Sequence, residues 1–196
     1  MTRATIEPSA GSWRYQDYAR LGSDMRHEVI EGTLSMVPAP TTNHQTIVFN
    51  IATMLRSHVN EHRLGKVFIA PLDVILDDFN VVQPDIVFVG NDRRHSVRVA
   101  GIFGPPSLVV EVLSPATQYR DFYQKKALYE RFGVPEYWLV NPAMQSINVL
   151  KLSGASYTLH AEYCLNEAVP SAEPVSVSSP LLPALRLDLA TAFETA

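Results

Sequence analysis

Three apolar runs, 67–76, 81–89 and 108–113, lie between two stretches of helical spacing, and that order limits the fold more than any other feature of the chain. Each run is rich in Val, Ile, Leu or Phe and is bounded by polar or Gly/Pro segments, the pattern of strands. Upstream, Thr41–Asn43 supply capping residues ahead of Ile47, Val48, Ile51, Met54, Leu55, His58 and Val59. Their steps of three and four predict an amphipathic helix over 44–60, with Gly65 as its stop. A second helix is predicted over 121–132, with Phe122, Leu128, Tyr129 and Phe132 on its apolar side and Gly133 at its end. Residues 137–140 and 147–150 read as further strands, and 28–37 as a leading strand. The order strand, helix, three strands, helix, strands predicts an α/β or α+β sheet with helices packed on it.

A chain of 196 residues, 46% of them hydrophobic, buries roughly 70% of its unfolded surface in a single core, so neither a disulfide nor a structural metal is required. The lone Cys164 forms no internal bridge and fits a reducing, cytoplasmic compartment. Charged residues from Arg3 to Glu28 interrupt the first thirty positions, leaving no secretory apolar region. No apolar run reaches the ~20 residues of a membrane helix. Residues 1–14 read as an N-terminal arm and 15–196 as one domain, in which the Pro/Ser-rich stretch 170–183 is an irregular loop.

Two carboxylates stand inside the apolar runs. In LVVEVL, period-two alternation puts Val109, Glu111 and Leu113 on one face and Leu108, Val110 and Val112 on the other. Both faces are apolar, and a carboxylate there costs several kcal/mol unless a cation or strong donors compensate it. Asp85, in VVQPDIVFV, shares a face with Gln83 and Val87. Pro84 removes a backbone donor, so this strand lies at an edge or begins nearby. Taken singly, Glu111 reads equally as half of a buried salt bridge and Asp85 as a strand-end residue. If the two strands are neighbours, both carboxylates converge and offer hard oxygens to Mg²⁺ or Mn²⁺, which keeps water and a substrate phosphate at its other positions. Lys125 and Lys126 follow on the second helix, Lys125 one turn after Asp121 and one turn before Tyr129. A lysine at such a centre orients water or offsets developing charge; the ordinary alternative is a solvated helix face.

Pro84-Asp85, then Glu111 with Leu113-Ser114-Pro115, then Asp121, Lys125, Tyr129, Gly133 and Glu136-Tyr137-Trp138 together resemble the PD-(D/E)XK nuclease superfamily. More narrowly, the chain resembles the Uma-type bacterial endonucleases of restriction-endonuclease-like fold. HEVIEG, PAPTTNHQ, GKVFIAPLDVIL and SPLLPALRLDL fit that family too, so the likeness runs from about Tyr15 to Phe193. The resemblance implies a single domain with a mixed sheet flanked by helices, and metal-dependent hydrolysis of phosphodiesters in nucleic acid, chiefly DNA. Asp85 and Glu111 match the metal-binding acids. Leu113 stands where the superfamily has its lysine, and Lys125 matches the lysine that this family supplies from the following helix. Glu28, His44 and Gln45 match positions of additional ligands or water-positioning groups. Asn141 stands where relatives carry Asp. Cutting two strands favours a homodimer with symmetry-related sites.

Other readings compete. His58-Val59-Asn60-Glu61-His62 fits the H-x-x-E-H spacing of inverted zinc peptidases, although a polar helix end explains it as well. No G-x-S-x-G surrounds Ser114, and neither G-x-G-x-x-G nor a P-loop occurs. A nuclease fold that binds DNA or protein without cleaving is the main rival, though a pure binding role needs no pair of carboxylates facing phosphate. The formal charge of −4 argues against coating nucleic acid by bulk electrostatics. Residues 91–131 nonetheless hold seven Lys/Arg against four Asp/Glu, a local +3 that leaves −7 elsewhere. That segment carries Glu111 and Lys125 and implies weak, salt-sensitive, locally focused binding.

Overall fold

Proline and glycine cut the apolar runs into more and shorter strands than their length suggests. The computed structural model describes residues 11–21, 26–165 and 174–195; residues 1–10 of the expected arm and 170–173 of the expected loop lie outside them. In chain order the elements begin with α1 (Tyr15–Tyr18), β1 (His27–Ile30), β2 (Thr33–Met36) and α2 (Thr42–Glu61). Next come β3 (Gly65–Ile69), β4 (Val74–Asp77), β5 (Asn80–Val82), β6 (Ile86–Gly90), β7 (Val97–Arg98), β8 (Gly101–Phe103) and β9 (Leu108–Val112). A π-helical turn (Arg120–Lys125) runs into α3 (Lys126–Phe132), and β10 (Glu136–Asn141), β11 (Ser146–Ser153), β12 (Ser156–Cys164), β13 (Ser176–Val177), β14 (Leu187–Asp188) and α4 (Leu189–Phe193) complete the chain.

The strands form two mixed six-stranded sheets, β2-β1-β5-β4-β8-β7 and β12-β11-β10-β9-β6-β3, with β13 and β14 as a separate pair. In the second sheet β9 and β10 are parallel, so the chain between them crosses over through the π turn and α3. The alternation of β9 holds: Leu108, Val110 and Val112 pack with Ile47, Ile51 and Leu55 of α2. Val109 and Leu113 pack on the opposite face with Leu128 and Tyr129 of α3. The sheet is thus covered on one side by α2 and the C-terminal segment, and on the other by α3 and the first sheet. Glu111 points into the second of these cores, as its spacing requires.

Several expected boundaries shift for local reasons. Residues 67–76 are two strands in different sheets, parted at Ala70-Pro71, where proline offers no N–H to a ladder. Residues 81–89 part at Gln83–Asp85 around Pro84, and the chain changes sheet there. Residues 28–37 form a hairpin, because Glu31 and Gly32 take φ of 51° and 73° in a two-residue turn. The first helix runs from Thr42 to Glu61, capped by the Thr41 side chain accepting from His44 N at 3.2 Å. Gly65 does not stop it: the chain reverses at Arg63, with φ 52°, and Gly65 opens β3, where an added Cβ would strike the Val89 carbonyl. Among the described residues no helix is long and apolar enough to cross a membrane.

Candidate active site

Where β5 leaves the first sheet and β6 enters the second, Pro84 lies opposite Val112 in the continued β6–β9 register. Proline has no N–H to give the Val112 carbonyl, so the ladder ends, and Val112 N donates instead to Asp85 Oδ2, 2.8 Å away. Asp85 therefore stands just before β6 rather than within a strand. The same oxygen lies 3.3 Å from His44 Nε2, which is also 3.0 Å from the Val112 carbonyl oxygen. His44 is in the first turn of α2, so the Thr41 cap fixes it. Its Nδ1 is buried without a partner among the described residues. Burial opposes the imidazolium, but the hydrogen bond and charge of Asp85 outweigh it and raise the pKa of His44.

Opposite Asp85 in the same continued register, Glu111 accepts at Oε1 from Lys125 Nζ and from the Tyr129 hydroxyl, both at 2.9 Å. Lys125 Nζ also lies 2.8 Å from Glu28 Oε1 and 3.6 Å from Asp121 Oδ1. Glu28, from β1, accepts Gln83 N at Oε1 and Arg120 Nη1 at Oε2. Asp121 Oδ1 is buried without a hydrogen bond among the described residues. The widened turn that holds Asp121 and Lys125 is supported from below, where the buried Tyr137 hydroxyl donates to the Asp121 carbonyl.

The charges explain how each group is held. Burial pushes Glu111 well above the carboxylate range; Lys125 pulls it back, but Asp121, Asp85 and Glu28 push it up again. Burial likewise raises Asp121 against the pull of Lys125. Glu28 ends below its ordinary value, because Lys125, Gln83 N and Arg120 overcome its burial. Lys125 ends well above the ordinary lysine value: Glu111, Glu28 and Asp121 outweigh the burial that disfavours its charge. Four carboxylates thus face two close cations, Lys125 and Arg120, and the surplus is negative.

Asp85, Glu111, Lys125, Glu28 and His44 all line one cleft of about 240 Å³, together with Arg26, Gln83, Ser114, Thr117, Arg120 and Asp121. Gln45 is exposed and does not line it. Asp121, Arg120 and Tyr129 belong to the cluster although the sequence alone marks none of them as a site residue. The i, i+4 spacings Asp121–Lys125 and Lys125–Tyr129, visible in the sequence, are the signal for two of them. Arg120 has no such signal, since its partner Glu28 is 92 positions away.

The H-x-x-E-H segment is a helix end: the rings of His58 and His62 stack at 4.2 Å, His62 Nδ1 lies 3.0 Å from the His58 carbonyl oxygen, and Glu61 is exposed. Six of the seven basic residues of 91–131 are engaged within the protein, and Arg94 is exposed. Arg93 donates to the carbonyls of Pro105 and Pro106, Arg98 stacks over Phe103, Arg120 and Lys125 hold the site carboxylates, and Lys126 and Arg131 pair with Glu130 and Glu31.

A mixed sheet that brings two strand-end carboxylates and a crossover-helix lysine to one cleft defines the restriction-endonuclease-like class. The fold matches a solved structure from Anabaena variabilis, described as "a putative nuclease belonging to DUF820", with a TM-score of 0.71 and 20% identity over 91% of this chain and 96% of that one. The chain belongs to the Uma2 family, described as "Putative restriction endonuclease", which matches residues 14–190. It is also 23% identical over 118 residues to the uncharacterized protein sll1609 of Synechocystis sp.; the match takes in 59% of this chain and 66% of that protein, just under two thirds of its length.

Proposed function

We propose that the protein is a metal-dependent endonuclease that hydrolyses phosphodiester bonds of nucleic acid, with DNA as the substrate. The observation that carries this reading is the meeting of Asp85, Glu111 and Lys125 in one cleft. The donor set suits a divalent cation: oxygen ligands, an uncompensated negative charge, and two carboxylates that leave room for water and phosphate. Asp85 and Glu111 would hold Mg²⁺ or Mn²⁺, with Asp85 Oδ2 steadied by Val112 N and Glu111 Oε1 by Lys125 and Tyr129. A bound ion supplies Lewis-acid polarisation of the phosphoryl group and a more acidic water.

The remaining residues have separable tasks. Lys125 stays protonated among its carboxylates and contributes positive charge where charge develops on the phosphoryl oxygens. Glu28 and Arg120 fix the position of Lys125, and Tyr129 fixes Glu111. His44 positions Asp85 rather than acting as a ligand, because its Nε2 is taken up by Asp85 and the Val112 carbonyl. The reading includes a cytoplasmic bacterial enzyme acting as a homodimer, so that two cuts face two strands.

The test is incubation of plasmid, linear duplex and single-stranded DNA with Mg²⁺ or Mn²⁺, comparing the wild type with Asp85→Ala and Glu111→Ala. Cleavage by the wild type alone is expected. Equal cleavage by all three proteins removes the proposed site, and binding without cleavage by any of them leaves a nuclease fold used only for binding.

A further inference from the structure

The turn that sends Asp121 and Lys125 inward sends aromatic rings outward. Tyr119 is 69% exposed and Tyr123 65%, with Phe122 beside them at 38%. The two tyrosine rings lie 5.0 Å apart between centroids, inclined at 42°. Tyr119 stands one residue from Arg120 and two from Thr117, both of which line the cleft, so the pair is continuous with the cleft's rim. Gln118 and Gln124 are exposed on the same segment. Its one acidic residue between Val112 and Tyr129, Asp121, is turned inward and buried. The outer surface therefore offers aromatic faces and amides without a carboxylate, beside a site that takes phosphate. No carboxylate of this segment itself faces outward to repel a polyanion. Aromatic faces stack on nucleobases, and amides meet base edges. A base within a duplex already stacks on both sides and reaches such a ring only when unpaired or flipped.

We infer that Tyr119 and Tyr123 form a stacking platform for an unpaired base at the mouth of the cleft, making single-stranded or locally unpaired nucleic acid the substrate class. The inference rests on the nuclease reading above and adds the part of the substrate that the cleft does not contact.

Fluorescence anisotropy in EDTA, which keeps strands intact, tests it with labelled oligo(dT), an abasic oligonucleotide of equal length and a matching duplex. The wild type is expected to bind oligo(dT) about tenfold more tightly than the abasic strand. Y119S/Y123S should bind both at the abasic level, whereas Y119F/Y123F keeps the difference. The salt dependence should not change, because no cation is removed. Equal wild-type affinity for abasic and oligo(dT) strands overturns the platform while phosphate binding stands. Retention of the difference by Y119S/Y123S also overturns it, as does a change of oligomeric state in light scattering without loss of base-dependent affinity, which makes the surface a contact between copies. Failure of the wild type to bind any strand overturns the platform, while the nuclease reading is decided separately by the cleavage assay with Mg²⁺ or Mn²⁺.

Discussion

Lys125 is the residue on which the buried cluster depends, since one ammonium group lies within 4 Å of three carboxylates. Removing one partner of a buried ionic group leaves the others uncompensated. K125M is therefore expected to lower unfolding free energy in urea by roughly 3 kcal/mol and to abolish cleavage. E111Q/K125M should recover part of the stability and none of the activity. A milder effect is expected at Glu130, whose Oε1 accepts from Lys126 Nζ and Tyr157 N, both at 2.7 Å. Burial raises its pKa, but these partners together hold the folded value below the ordinary one. A depressed carboxyl stabilises the fold fully above its unfolded value, and that contribution is lost as pH falls through the folded value. E130Q should thus be less stable than wild type at neutral pH, by under about 1 kcal/mol, and the gap should close in thermal melts as pH falls below the carboxylate range. Asp85 and Glu111 were legible in the sequence because a carboxylate in an apolar run demands a reason. Glu28 was legible only through the family likeness, because HEVIEG carries no local anomaly. Arg120 was not legible, because its meaning depends on a partner in another sheet.

At the level of elements, both helices were legible within a few residues, because three-four spacing and the capping positions survive any tertiary context. Strand lengths were overestimated wherever an apolar run crossed from one sheet to the other, since burial looks the same in both. The π turn had no signature: Arg120–Phe132 reads as uninterrupted helix, and the wider turn is fixed from outside by Tyr137 and the buried cluster. A π turn is equivalent to one extra residue in an α-helix. Deleting Gln124 should restore α geometry and rotate Arg120 and Asp121 about 100° away from Lys125. The expected result is an unchanged far-ultraviolet dichroism spectrum with lost activity. The caps are separable from this. T41A removes the acceptor for His44 N and should cost about 1 kcal/mol while also lowering activity, because that cap orients the turn carrying His44. G133A should cost a similar ~1 kcal/mol without touching the site. Gly133 sits at φ 72°, and a Cβ added there would meet open space, so backbone strain is the whole penalty.

Across the whole molecule, the site lies where two sheets meet: Glu28 comes from the first, Glu111 from the second, and Asp85 from the segment that joins them. Folding therefore assembles four carboxylates around two cations, and without a further cation burial and mutual repulsion disfavour the charge on Glu111 and Asp121. A cation bound there links the sheets and should stabilise the fold by mass action. At a hundredfold excess over its dissociation constant, the gain is about 2.7 kcal/mol. For a chain of this length that corresponds to roughly 5–10 °C in Tm. Addition of Mn²⁺ to the wild type is expected to raise Tm by that amount, and addition of Na⁺ at equal ionic strength is not. E111Q separates repulsion from binding. Burial and the neighbouring carboxylates raise the pKa of Glu111, so its ionised form is the disfavoured one in the fold, and stability falls as pH rises through that value. E111Q should then match or exceed the wild-type Tm in EDTA, lose most of the Mn²⁺ shift and be inactive. A Mn²⁺ shift equal in wild type and E111Q would place the cation elsewhere on the molecule.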